Sequence, residues 1–445
     1  MRAAAFIATA GLLVAGAGGQ AGAEALVNDP AADAAAQDTQ SGAAVLPIPP
    51  SSVLVVFNDS GTFALPGSPH FTGFARSADG GQTFADLGRL PDSANGDVGY
   101  PVLARNLTSG RVFLATLPFA SSTVIPVFRS DDGGQTWQGP ANAFNVGNMD
   151  RHWIAIDNAP GIGQGVLYVL ARDFAAGGGM RIARSIDAGV SFQSSSLLTP
   201  NTGQLANLVV GPDHTVYAFW LDTGNVFRIR ASGDFGTTFS LPTPVTTLAS
   251  TALNGDLGVG FRTTGQLQAV ATATTGMVVA VWADRGAAPD RADIRYAVGT
   301  NFGTTWSTPI RVNDDATSND QVVPTIAITP DGTRLIVAWY DRRNDAANSL
   351  LEYRARIATV SGTSVTFGAS FTVSSGSFQA ISAQDPSISP SYFVDYDAAS
   401  ADDDFFYLSW ADTRLASATH AQQPDVRFAR IAAPPPPPLF ANGFE

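Results

Sequence analysis

Arg76-Ser77-Ala78-Asp79-Gly80-Gly81-Gln82-Thr83-Phe84 is the stretch that decides the fold, because it returns. It recurs as Ser130-Asp131-Asp132-Gly133-Gly134-Gln135-Thr136-Trp137, as Ser185-Ile186-Asp187-Ala188-Gly189-Val190-Ser191-Phe192 and as Ser232-Gly233-Asp234-Phe235-Gly236-Thr237-Thr238-Phe239. A further copy, Gly299-Thr300-Asn301-Phe302-Gly303-Thr304-Thr305-Trp306, keeps the frame with Asn301 in the place of Asp, and one around Ser361 to Phe367 is degenerate. The chemistry is that of a tight turn between two strands. A carboxylate accepts hydrogen bonds from amides two or three residues on, Gly two residues later permits positive φ, and the aromatic tucks under the hairpin. Asp79, Asp132, Asp187, Asp234 and Asn301 are therefore expected to be structural.

Upstream of each turn runs an apolar strand, often ending in an aromatic residue and Asp: Val53–Asp59, Val112–Phe119, Val166–Asp173, Val216–Asp222, Val278–Asp284, Leu335–Asp341 and Phe405–Asp412. Another apolar strand precedes each, and two more follow, the last beyond the turn. Four short strands per unit, seven times over, spell an all-β seven-bladed propeller of four-stranded antiparallel blades. The last unit stops after its third strand, Val426–Arg430. Leu26-Val27-Asn28-Asp29 resembles Arg311-Val312-Asn313-Asp314, so an N-terminal strand at residues 25–28 is expected to close the ring and remove an open edge.

The boundaries follow. Residues 1–23 have the positive start, apolar run and small-residue site of a signal peptide, 24–432 form the propeller, and 433–445 (from Ala433 through Pro434–Pro438 to Glu445) are a Pro-rich tail. Export to the periplasm, the outer surface or the medium is expected, with no membrane span in the mature chain, acting as a monomer. Cysteine is absent, so disulfides, thiolate nucleophiles and Cys-ligated zinc are excluded. The net charge of −13 argues against nucleic acid as a partner. Every basic side chain is Arg, and Glu occurs only at positions 24, 352 and 445, so carboxylate chemistry falls to Asp.

These residues resemble the bacterial secreted BNR, or Asp-box, repeat proteins of the sialidase (neuraminidase) superfamily, of the type often labelled exo-α-sialidase. Besides the turns, Asp150-Arg151-His152-Trp153-Ile154-Ala155, Trp339-Tyr340-Asp341-Arg342-Arg343-Asn344-Asp345 and Val394-Asp395-Tyr396 with Trp410-Ala411-Asp412-Thr413-Arg414 carry the resemblance. It implies a site on the face opposite the repeated turns and exo-α-sialidase-type glycoside hydrolysis on a glycan. Arg151, Arg285, Arg342 and Arg414 would be the anion clamp, Tyr396 the nucleophile, and Asp150 or Asp320 the acid/base. The family's Phe/Tyr-Arg-Ile-Pro phrase has its nearest counterpart in Phe227-Arg228-Ile229-Arg230, without the Pro.

Arginine forks suit planar carboxylates, and an Arg/Asp rim can bind an acidic sugar or move protons in glycosidic cleavage. The same Trp-x-Asp and Asp-x-Arg phrases would also recur if each blade needed the same cap and ion pair. Arg151 and Tyr396 stand outside that recurrence. A non-catalytic propeller binding glycan or protein on this face is the alternative, and a scaffold the third. No cofactor is indicated and no metal site is assigned. His70, His152, His214 and His420 lack ligand spacing, while Asp314-Asp315 and Asp402–Asp404 are loops where oxygen ligands could hold Ca²⁺.

Overall fold

The computed structural model describes residues 22–32, 38–119, 122–286, 288–383, 385–415 and 422–436. His420, nearly all of the expected signal peptide (1–23) and the part of the expected tail beyond residue 436 lie outside them. The chain forms seven antiparallel sheets, one per blade. In blade one the strands are Gln40–Ile48, Ser52–Asp59, Thr72–Ser77 and Ala85–Arg89, in that spatial order. The second strands are the apolar runs of the sequence, with one correction. That of blade two, Val112–Ala115, stops before Pro118, which has no amide to pair, and leaves Phe119 to a loop.

The ring closes as expected. Ala25 pairs with Phe428 and Leu26 with Arg427, and the sheet runs from this N-terminal strand through Asp425–Ala432 and Phe405–Asp412 to Ser400–Ala401. The likeness between the two Val-Asn-Asp phrases is a likeness of hydrogen bonds. Val27 N–H donates to Val426 O at 2.9 Å, as Val312 N–H does to Ile294 O at 2.7 Å. Asn28 Nδ2 reaches Asp425 Oδ1 at 2.9 Å while its Oδ1 accepts from Val426 N–H at 2.8 Å. Asn313 does the same with Asp293 and Ile294, both at 2.9 Å.

The repeated turns are joints between blades. Asp132 Oδ1 accepts from the amides of Gln135 and Thr136 at 3.0 and 2.9 Å and from Ser130 Oγ at 2.7 Å, and its Oδ2 from Thr136 Oγ1 at 2.6 Å. Asp79, Asp187 and Asp234 repeat the pattern. At Asn301 it shifts to the backbone, whose carbonyl takes Thr304 Oγ1 at 2.7 Å. The turn glycines press on the preceding blade. A Cβ on Gly81 would stand 2.0 Å from Phe428, one on Gly134 2.7 Å from Leu54, one on Gly189 2.6 Å from Phe113 and one on Gly303 2.6 Å from Ile229. Glycine is thus required twice over at position 134, by its φ of +87° and by the neighbouring blade. Gly134→Ala is expected to cost about 3 kcal/mol in chemical denaturation, with ligand binding on the opposite face unchanged.

At the centre, small and apolar residues such as Ala44, Leu103, Ala155, Val209, Ala269, Ala327 and Ala399 line an axial channel of about 310 Å³. Its mouth on the turn face widens to about 550 Å³. In blades six and seven the Trp-x-Asp phrase locks the second strand. Trp339 and Trp410 are fully buried, and their indole N–H groups donate to Asp341 and Asp412 at 2.7 and 3.3 Å.

Candidate functional site

Four non-glycine residues with positive φ, Tyr100, Arg151, Leu205 and Val323, stand where first strands enter the ring, on the face away from the turns. In four blades the first strand carries a bulge whose leading residue has positive φ: Gly42 at 60°, Arg151 at 49°, Leu205 at 59° and Val323 at 50°. Tyr100, just ahead of the first strand of blade two, sits at 60°. Non-glycine residues pay for this conformation, and bulges re-aim side chains at barrel rims and sites. Here the outcome is that Tyr100 and Arg151 face the same cavity.

That cavity measures about 510 Å³, within the roughly 300–1,000 Å³ of small-molecule sites. Phe63, Phe71 and Phe119 form one wall, with Phe63 ring centroids 4.7 Å from Phe71 and 5.6 Å from Phe119. Tyr100, Asp150, Arg151, Arg262, Tyr392 and Asp395 form the polar side. Asp395 is its hub. Arg151 Nη1 donates to Asp395 Oδ2 at 2.8 Å. Arg262 grips both oxygens, with Nε and Nη2 on Oδ1 at 3.1 and 2.9 Å and Nη2 on Oδ2 at 2.8 Å. Each guanidinium also lies over a tyrosine ring, Arg151 at 5.2 Å from Tyr100 and Arg262 at 5.3 Å from Tyr392. The tyrosines are anchored in turn. Tyr100 Oη donates to Gln266 Oε1 at 2.8 Å, and Tyr392 Oη accepts from Asn58 Nδ2 at 2.8 Å and Ser41 Oγ at 3.1 Å.

The electrostatics follow from this packing. Burial pushes the Tyr100 hydroxyl up to about 12, so it is a neutral hydrogen-bonding group. Burial also works against the charge of Arg151, but Asp395, Tyr100 and Asp150 together outweigh it and raise its pKa, so it stays a cation. Asp150 lines the cavity, and its one described bond is from the Arg151 amide at 2.8 Å.

The other sequence candidates are placed elsewhere. Tyr396 lies beneath the cavity floor, 1% exposed, its hydroxyl donating to Pro101 O at 2.6 Å and its ring against Tyr100 and Trp153. Burial raises its pKa well above the usual tyrosine value. A nucleophile must be reachable, and this hydroxyl is buried and already bonded. Asp320 is buried among Arg342, Arg291 and Asn348, at 3.3, 3.1 and 2.9 Å from its Oδ2. Arg342 also donates to Val259 O at 2.9 Å. Arg414 is held by Asp412 and by Glu24 at 2.7 and 2.6 Å, and Arg285 has one described bond, its amide to Asp284 at 2.8 Å. Arg285, Arg342 and Arg414 therefore do not join Arg151 in one clamp. The recurrent Asp-x-Arg pairs are local to each blade, as Arg343 with Asp341 at 2.8 Å shows again.

Arg262 was missed. It sits on the loop into blade five, in no repeated phrase, and only its distance from the recurrent ion pairs could have marked it. Among the described residues no group of three or more His, Asp or Glu is arranged to hold a metal ion, and no helix is long and apolar enough to cross a membrane. Asp314 is taken up by Arg343 and Ser370, and Asp402 by the turn amides of Asp404 and Phe405.

Behind the floor, Asp397 is fully buried, accepting from Tyr340 Oη at 2.7 Å and Ala43 N–H at 3.2 Å. Burial pushes its carboxyl up to about 7. A folded-state pKa raised above the unfolded 3.8 stabilises the fold at low pH, and that contribution is lost as pH rises through about 7. Buried Asp59, also pushed up to about 7, adds in the same direction. Asp397→Asn is expected to flatten the fall in melting temperature between about pH 4 and pH 8. An unchanged slope would contradict this.

No protein-family model matches the chain, and no curated protein matches it. Among solved structures, the intramolecular trans-sialidase from Ruminococcus gnavus in complex with oseltamivir carboxylate is similar at 12% identity, over 77% of this chain and 96% of that one, with a TM-score of 0.49. The α-L-arabinofuranosidase of Fusarium graminearum is similar at 14% identity, over 77% and 99%, with a TM-score of 0.48. A protein of unknown function from Dyadobacter fermentans is similar at 16%, over 80% and 98%, with a TM-score of 0.46. These likenesses concern the arrangement of the sheets and carry no substrate with them.

Proposed function

We propose that this chain is an exported carbohydrate-recognising propeller whose ligand lies in the cavity between the Phe63–Phe71–Phe119 wall and the Arg151–Asp395–Arg262 cluster. One observation carries the reading. A cavity of about 510 Å³ sets exposed aromatic faces opposite fixed polar groups, which is the pairing a sugar needs, since its C–H face stacks while its hydroxyls seek charged acceptors and donors. Its position on the rim of strand entries, away from the joint-forming turns, leaves it open to a ligand. The signal-like N-terminus supports export. The test is binding to an oligosaccharide array followed by calorimetry, with Phe119→Ala beside the wild type. Phe119 is 47% exposed, so its loss spares the fold, and about tenfold weaker binding is expected. Equal affinity would contradict the placement.

A second reading, hydrolysis, is favoured by Asp150, a carboxylate in the cavity wall with one backbone donor and room to act as acid or base. It would show as turnover of a fluorogenic glycoside, a sialoside among those tried, that Asp150→Asn abolishes while binding persists. Turnover unaffected by Asp150→Asn would rule it out.

A further inference from the structure

Two arginines aimed at one carboxylate form the arrangement by which proteins hold a carboxylate ligand, and here the carboxylate is the chain's own. We infer that Asp395 occupies the place of a ligand carboxylate and so makes the cavity a site for neutral rather than acidic saccharides. The second half rests on the carbohydrate reading above; the first does not.

Four hydrogen bonds of 2.8–3.1 Å link Asp395 to Arg151 and Arg262. The fork of Arg262 is used twice over, and Arg151 turns its remaining face to the Tyr100 ring. Among the described residues, the charged groups lining the cavity are Asp150, Arg151, Arg262 and Asp395, two of each sign. An incoming anion therefore finds no surplus cation and meets a carboxylate at the wall. The backbone that carries Asp395 is fixed as well. Its carbonyl accepts from Thr264 Oγ1 at 3.3 Å, and the next two residues are pinned through Tyr396 Oη to Pro101 and through Asp397 to Tyr340 and Ala43. A neutral saccharide, by contrast, can donate hydroxyls to the outer lone pairs of Asp150 and Asp395. The overall charge of −13 adds to the bias.

The test removes the internal carboxylate and supplies one from outside. Asp395→Gly opens the space between the two arginines, and Asp395→Asn fills it without charge. Acetate titrated against chloride at equal ionic strength is expected to raise the melting temperature of Asp395→Gly saturably, by several degrees, and to leave the wild type and Asp395→Asn unmoved. If Asp395→Gly folds poorly, its refolding yield in acetate against chloride gives the same reading. Acetate and chloride acting alike on Asp395→Gly, or acetate shifting the wild type equally, would overturn the assignment of Asp395.

For specificity, the wild type should bind a uronic-acid oligosaccharide at least tenfold more weakly than the neutral oligosaccharide of the same linkage, and Asp395→Gly should narrow that ratio. Tighter binding of the acidic ligand by the wild type would overturn the neutral preference. If no saccharide binds while acetate still rescues Asp395→Gly, the carbohydrate reading falls and the place of Asp395 stands.

Discussion

Removing residues 22–29 is expected to cost about 4 kcal/mol from Val27 and Asn28 alone and to make the protein aggregate. Val27 is 1% exposed and Asn28 4%. Burying a valine contributes roughly 1.5–3 kcal/mol, and each buried hydrogen bond left unmade costs about 1–3 kcal/mol. Without this strand the amide of Val426 loses the side-chain Oδ1 of Asn28, and its carbonyl loses the amide of Val27. The third strand of blade seven, Asp425–Ala432, becomes an uncovered edge, a template for intermolecular pairing. Asn28→Ala isolates the polar part and should cost about 2 kcal/mol with the edge still covered. Denaturant unfolding and light scattering read both effects. A truncated chain as stable and as monodisperse as the full one would mean that the ring does not depend on this closure.

The second large effect is expected at Arg151. Arg151→Ala should weaken ligand binding by at least about thirtyfold, as removal of a central, desolvated arginine does, and lower stability by about 2–3 kcal/mol. Breaking a buried ion pair by removing one partner costs up to about 3–5 kcal/mol, and Arg262 retains part of the charge balance on Asp395. The backbone supplies an internal control. Arg151 holds a φ of 49°, a conformation glycine adopts freely, so Arg151→Gly should be more stable than Arg151→Ala by about 1 kcal/mol while binding equally poorly. Calorimetric titration and denaturation of the two variants separate the lost contact from the lost strain. Wild-type affinity in Arg151→Ala would place the ligand elsewhere.

The blades were legible in the sequence because a propeller states its rules seven times. Each second strand carries its own apolar run, and the turn chemistry of Asp132 or Asp234 recurs residue for residue. Even ring closure was legible, since Asn28 and Asn313 meet the same backbone demand. The structure added why the turn glycines are needed. Gly134 sits against Leu54 of the blade before it, a contact between distant residues that no local phrase encodes.

The site was legible only at its edge. Arg151 and Asp150 belong to an unrepeated phrase, and both line the cavity. Arg342 and Arg414 belong to phrases that pair each arginine with a carboxylate of its own blade, Asp320 and Asp412. What the sequence concealed was the convergence of three separate segments on one point: Arg151 in the bulged first strand of blade three, Arg262 on the loop before blade five and Asp395 on the loop before blade seven. Ring closure brings them together, and nothing in the local sequence of any one names the other two. Tyr396, beside Asp395, points instead under the floor, where its hydroxyl meets Pro101 O.

The function proposed for this propeller turns on where a ligand binds. Its most direct test is the crystal structure of the protein with a neutral oligosaccharide selected from the array. The expected result is a sugar ring against Phe119 or Tyr100, with hydroxyls within hydrogen-bond distance of Asp150 and with the Arg151–Asp395–Arg262 cluster intact. A sugar bound at the mouth of the channel on the turn face, or one that displaces Asp395 from its arginines, would contradict it.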